Sequence, residues 1–259
     1  MLLEGKRVIV TGGLTGIGKA TVLACASHGA TVVSMSRKEP AHPSAVAMLE
    51  EAQAIGVGSV SHMAVDITDQ SMVFEVFDAA VAQMGGVDVL IHCAGLEQNI
   101  PAELLTRADV QEMIDIHLMG TIFTNQAVFK YMRETGGSIV NHASIAGVEG
   151  QPNMPAYSAA KGAVIGFSRN IAKDWAKYMI RVNMACPAVM TPLVQDYVDS
   201  LNPEAKAVWD AWLAATVPLG GALGDPKDAA DVNVFLASDL SRFVHGQLVP
   251  VDGGMFFTR

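Results

Sequence analysis

The chain has 259 residues, 51% of them hydrophobic and 17% charged, and its 17 Lys and Arg stand against 26 Asp and Glu for a formal net charge of −9. That is too apolar for a disordered chain, and without any basic run it lacks the clustered cations that a nucleic-acid binder needs to neutralise phosphates. Nothing approaches the ~20 uninterrupted apolar residues of a membrane span.

The start, MLLEGKRVIV, leads into a strand-like segment with no signal-peptide pattern. Cys25, Cys93 and Cys186 stand far apart and form no CxxC pair, so the expectation is a reduced cytoplasmic protein with no metal site. Short apolar runs then alternate with helical patterns. The runs fall at 7–10, 30–35, 61–65, 87–93, 137–142, 180–185 and 246–251. Most are continuously apolar, as strands covered on both faces by helices must be. Between them, 108–132 sets Val110, Ile114, Leu118, Ile122 and Phe129 near helical spacing, and 157–178 does the same with Val164, Phe167, Ile171 and Trp175. No linker or composition shift interrupts the pattern. It predicts one α/β domain over 1–259: a Rossmann-like, doubly wound parallel sheet of about seven strands with helices on both faces.

The first strand ends in TGGLTGIGKA. Gly12, Gly16 and Gly18 permit a tight turn, close approach of backbone to a phosphate and tight packing of the next helix, whose amino terminus presents N–H groups to a pyrophosphate. The spacing is neither GxGxxG nor a P-loop, and a glycine turn without a ligand is the competing reading. Further on, SIAGVEGQPNMPAYSAAK carries Ser144, Tyr157 and Lys161. Tyr157 and Lys161 are about one helical turn apart and project from one face. An ammonium close to a phenol favours the phenolate and lowers its pKa, so the pair is a candidate proton-transfer unit, although such pairs also occur on ordinary surface helices.

Three segments taken together resemble a known family. TGxxxGIG after the first strand (Thr11 to Gly18), a serine ahead of YxxxK (Ser144, Tyr157, Lys161) and a terminal VDGG (Val251 to Gly254) are similar to the motifs of standard-length short-chain dehydrogenases/reductases, over residues 6–254. The resemblance implies a nicotinamide coenzyme with its pyrophosphate on the glycine turn, at Gly12, Leu14, Thr15, Gly16, Ile17 and Gly18. It implies Asp66 and Ile67 at the adenine, and Tyr157 and Lys161 at both the coenzyme and the reaction. Cys93, Ala94 and Gly95 match the end of the family's NNAG segment, with His92 and Cys93 replacing the asparagines. Where NAD enzymes of the family usually place an Asp, the matching residues are Ser36 and Arg37. These suit a 2′-phosphate through a charge-assisted hydrogen bond, which favours NADP(H) with NAD(H) possible; a merely solvated loop is the plain alternative. Pro187, Val189 and Thr191 match nicotinamide contacts, with Ala188 in place of a Gly and one residue fewer before the threonine.

His117 takes the place of the family's Asn in the proton relay behind the lysine. It faces inward with the apolar stripe, so a satisfied core histidine competes with a relay that adds a titration to the pH–rate profile. Residues 193–219 are expected to cover the substrate, and with Leu96, Val148 and Met154 they suggest a mainly apolar pocket. The implied activity is reversible hydride transfer between a nicotinamide coenzyme and an apolar, cyclic or aryl ketone or secondary alcohol. The alternative is a catalytically silent coenzyme-binding regulator on the same fold; a nucleotide-sugar epimerase would need an added lobe. Helices 108–132 and 157–178, and the terminal MFFTR, are expected to bury against other subunits in a homotetramer.

Overall fold

The computed structural model describes residues 1–256. Seven strands form one parallel sheet: β1 (Arg7–Thr11), β2 (Thr31–Ser36), β3 (Ser59–Ala64), β4 (Val89–His92), β5 (Gly137–His142), β6 (Ile180–Pro187) and β7 (Leu248–Val251), in the order β3-β2-β1-β4-β5-β6-β7. The seven expected runs are these strands, with ends displaced by a few residues. Their continuous apolarity has the anticipated cause. Ile9, Leu90, Ile139 and Val182 face one buried cluster, while Val8, Val10, Val89, Ile91 and Val140 face another.

The first cluster lies under α3 (Gln70–Met84), α5 (Gly120–Thr135) and α7 (Pro155–Trp175), which add Phe77, Val128, Met132 and Ile171. The second lies under α1 (Gly16–Ser27), α2 (Pro43–Ile55) and α10 (Pro226–Ala237), which add Val22, Cys25, Met48 and Val234. The remaining helices are α4 (Arg107–Met113), the short α6 (Ala146–Glu149), α8 (Pro192–Ser200) and α9 (Pro203–Thr216). No described helix is long and apolar enough to cross a membrane.

The expected unbroken helix over 108–132 is corrected. Between α4 and α5 lies a π-helical stretch, Ile114–Met119, followed directly by Gly120. The wider turn is stapled by Thr121 Oγ1, which donates to the His117 carbonyl at 2.6 Å. A π-turn keeps the chain helical and the stripe roughly aligned, so periodicity alone cannot distinguish it. Of the terminal MFFTR, residues 257–259 lie outside the described residues; Phe256 is buried within its own chain.

Candidate active site

The strand order reverses between β1 and β4, where an open parallel sheet leaves a crevice at its carboxyl edge. Thr11 pairs in register with His92, and Thr11 Oγ1 accepts a hydrogen bond from Ala94 N at 3.2 Å. Gly12 has φ +70°, and a Cβ there would stand 2.9 Å from the Ala94 backbone; one on Gly18 would stand 2.1 Å from the Gly12 carbonyl oxygen. Only glycine lets this turn close. At its end Thr15 caps α1 in position, yet its hydroxyl caps nothing, and the first turn of α1 carries no acidic residue. The helix N–H groups and the hydroxyl therefore remain available to an anion, as a pyrophosphate requires.

A cleft of about 700 Å³ opens over the turn, lined by Gly12, Leu14 and Thr15, by Ser36, Arg37 and Lys38, by Asp66 and Ile67, and by Ala94 and Gly95. Nine of the eighteen expected coenzyme contacts thus border one space, and these residues fit an extended dinucleotide. Asp66 accepts from Thr68 N and Thr68 Oγ1 through one oxygen, at 2.9 and 2.8 Å, which leaves the other to accept from a base. Arg37 and Lys38 are exposed to the cleft. Their loop is pinned by a residue the sequence reading passed over: buried His62, whose Nε2 donates to the Lys38 carbonyl at 2.9 Å while Nδ1 lies 3.1 Å from Ser34 Oγ. Burial lowers the pKa of His62.

Other expected contacts sit differently. The Cys93 thiol turns away into the second core beside Thr21, so only its backbone borders the turn. Ile17, Gly16 and Gly18 shape the start of α1 rather than the cleft wall. Thr191 N-caps α8, accepting from Val194 N at 3.3 Å, and lies against Gly16, where a Cβ would be 3.5 Å from its own. Pro187 ends β6, and Val189, buried and bridged to Gly224, offers the cleft little surface.

At the end of β5 the chain reaches half-buried Ser144, whose Oγ accepts from Ala146 N at 3.2 Å. The inward face of α7 carries Tyr157, Lys161, Val164 and Ser168, all buried. Lys161 Nζ donates to the His142 carbonyl at 2.8 Å and lies 5.7 Å from the centre of the Tyr157 ring. Burial brings its pKa down to about 8. Tyr157 departs from the expectation: its pKa is raised, first by burial and then by the charge of Glu97, and the neighbouring Ser144 hydroxyl only opposes the rise. Lys161 stands close without overcoming the desolvation of the phenolate.

His117 is buried on the π-helical stretch, its ring edge-on to Tyr157 with centres 5.2 Å apart. Its Nε2 lies 2.8 Å from the Leu96 carbonyl, an acceptor, so the proton is on Nε2 and Nδ1 carries the bare lone pair. That nitrogen is buried without a partner. Burial, then the Lys161 charge, push the imidazole down to about 3, away from a titration near neutrality. Two further buried histidines belong to this neighbourhood: His92, noted in the sequence as standing in place of an asparagine, and His142, which the sequence did not single out. His92, wedged between Thr11 and Thr124, falls to about 3, and His142, bonded to Asn233, to about 4, with Lys161 contributing to both after burial. Glu97 was missed as well, although it follows Ala94 and Gly95 on the loop that leaves β4.

Among known proteins, a family profile described as Enoyl-(Acyl carrier protein) reductase matches residues 12–256. The chain is 34% identical to 3-oxoacyl-(acyl-carrier-protein) reductase FabG of Thermotoga maritima, over 98% of this chain and 99% of that protein. It is 34% identical to levodione reductase of Leifsonia aquatica, over 95% and 92%. The crystal structure of a levodione reductase superposes with a TM-score of 0.90 at 29% identity, covering 97% of this chain and 98% of that one. A short-chain type dehydrogenase/reductase from Mycobacterium ulcerans does so with 0.90 at 28%, covering 98% and 91%. A catalytically silent regulator finds no support among them. The chain belongs to the short-chain dehydrogenase/reductase family, oxidoreductases that transfer a hydride between a nicotinamide coenzyme and a ketone or secondary alcohol.

Proposed function

We propose that this protein is an NADP(H)-preferring oxidoreductase of uncharged cyclic or aryl ketones and the matching alcohols, with Ser144, Tyr157 and Lys161 as its catalytic residues. The observation that carries the reading is the meeting of these three side chains at the carboxyl edge of the sheet, beside a cleft whose floor admits only glycine. Bound in that cleft, a nicotinamide coenzyme supplies the hydride donor or acceptor. Ser144 donates to the substrate oxygen, where negative charge develops. Tyr157, held protonated by burial, gives its proton to that oxygen in reduction; in oxidation it takes the hydroxyl proton, with the Lys161 ammonium favouring the phenolate. His117 serves as a fixed neutral acceptor behind Lys161 rather than as a titrating relay.

Arg37 and Lys38, two cations at the cleft edge with no carboxylate at the end of β2, support NADP(H) over NAD(H). Leu96 and Met154, packed with Tyr157, and Val148 favour an apolar substrate body under α8 and α9. We read the molecule as a cytoplasmic homotetramer built on the outer faces of α5 and α7; a solution mass near the 27.3 kDa of one chain would contradict that.

The test is a coenzyme-linked absorbance screen over cyclic, aryl and acyl-thioester ketones and their alcohols, run in both directions with both coenzymes. Turnover of a cyclic or aryl ketone with a higher kcat/KM for NADPH is expected. Coenzyme binding without turnover across the panel would refute the catalytic assignment, and equal or better use of NADH would refute the coenzyme preference.

A further inference from the structure

The glycine turn after β1 and the 36–38 loop after β2 are joined beneath the cleft by two buried side chains, Ser34 and His62. The Ser34 hydroxyl fills the space under the turn: a Cβ on Gly13 would stand 2.3 Å from Ser34 Oγ. Gly13 N also donates to the Met35 carbonyl at 3.2 Å, so the turn rests directly on β2. Strand register sets His62 of β3 beside Ser34. Its Nε2 donates to the Lys38 carbonyl at 2.9 Å, and its Nδ1 lies 3.1 Å from Ser34 Oγ. With the proton on Nε2, Nδ1 accepts from the Ser34 hydroxyl. One ring thus ties the floor of the turn to the backbone of the loop.

The loop depends on that tie. Among the described residues no other hydrogen bond reaches the Lys38 carbonyl. Lys38 N donates to Ser36 Oγ at 3.1 Å, which folds the loop on itself and leaves the Ser36 hydroxyl proton to be donated into the cleft. Ser36, Arg37 and Lys38 all border the cleft, whereas His62 does not. Arg37 and Lys38 are long, exposed side chains, and holding such chains on a ligand costs conformational entropy. A backbone already fixed in place lowers that cost. A coenzyme without a 2′-phosphate makes no call on these cations and gains nothing from the tie.

Resting on the NADP(H) reading above, we propose that His62 is a positioning residue for coenzyme selectivity: through Ser34 and the Lys38 carbonyl it fixes the glycine turn and the 2′-phosphate loop relative to each other. Its loss therefore weakens NADPH and spares NADH.

The experiment titrates NADPH and NADH by fluorescence into the wild-type protein, His62→Ala, His62→Gln, Ser34→Ala, Arg37→Ala and the double variant His62→Ala/Arg37→Ala. His62→Ala should raise the Kd for NADPH by about tenfold, the scale of one lost buried hydrogen bond, and that for NADH by no more than about twofold. His62→Gln, whose amide can donate to the same carbonyl, should recover most of the NADPH affinity. Ser34→Ala removes the other end of the tie without opening a ring-sized cavity, and should weaken NADPH alone by about threefold. With Arg37 already replaced, removing His62 should cost less than about threefold, a coupling that a merely structural role would not produce. An NADPH-to-NADH affinity ratio within about twofold of wild type in both His62→Ala and Ser34→Ala, or full additivity in the double variant, would overturn the assignment of His62. Wild-type protein that binds NADH as tightly as NADPH would instead overturn the coenzyme reading, and the inference with it.

Discussion

At the scale of residues, the site combines a phenol that burial keeps protonated with an ammonium that burial brings to about 8. Tyr157 and Lys161 were legible as a candidate pair because the proposed chemistry needs those residue types at that spacing. The sign of the phenol's shift was not legible, because it depends on how much water the fold removes and on Glu97, a residue sixty positions away. His117 was legible as unusual but not in its protonation state. The motif predicts a group behind the lysine, whereas the Leu96 carbonyl and the depth of burial decide that the group is neutral. A pH–rate comparison follows from this. With the imidazole at about 3, wild type and His117→Asn should show profiles of the same shape between pH 5 and 9, with His117→Asn lower by no more than about tenfold, the scale of one lost hydrogen bond. A limb near pH 6 to 7 present only in the wild type would restore His117 as a titrating relay.

At the scale of elements, the glycine turn and the π-helical stretch carry the site. The turn was readable from Gly12, Gly16 and Gly18, since close approach leaves glycine as the only choice. The π-stretch was not, because Val110, Ile114 and Leu118 continue an ordinary helical stripe through it. The loop after β2 was half readable: Ser36 and Arg37 pointed to a phosphate, but the anchor that fixes their backbone, His62, comes from the next strand. A substitution tests the turn. Gly12→Ala must place a Cβ 2.9 Å from the Ala94 backbone at φ +70°. It is expected to cost about 2 kcal/mol or more of stability and to weaken coenzyme binding by more than tenfold, both readable by denaturant melts and coenzyme quenching. A fully stable Gly12→Ala protein with unchanged coenzyme affinity would contradict the close approach.

At the scale of the whole molecule, the parallel sheet was the most legible feature, because strands buried on both faces must be apolar without alternation. The substrate-facing surface was the least legible, since α8 and α9 follow their own packing rather than a motif. One global property follows from the buried histidines. His92, His117 and His142 are held neutral, at about 3, 3 and 4, against about 6.5 in an unfolded chain. Below that value the unfolded state binds protons that the folded state refuses, so stability is full above about pH 6.5 and falls as the pH drops toward the folded values. Each histidine contributes a slope of up to about 1.4 kcal/mol per pH unit. Chemical melts at pH 7, 6 and 5 should show a steep loss, made shallower by one proton in His142→Asn. Stability that is level from pH 7 to 5 would mean these rings are accessible to protons in the folded state.

In the proposed mechanism Tyr157 moves the proton that accompanies the hydride. Its most direct measurement is steady-state turnover of Tyr157→Phe beside its coenzyme affinity by fluorescence quenching. A loss of about 10²-fold or more in kcat is expected, with coenzyme bound within about threefold of wild-type affinity. A Tyr157→Phe protein that turns over at close to the wild-type rate would contradict it.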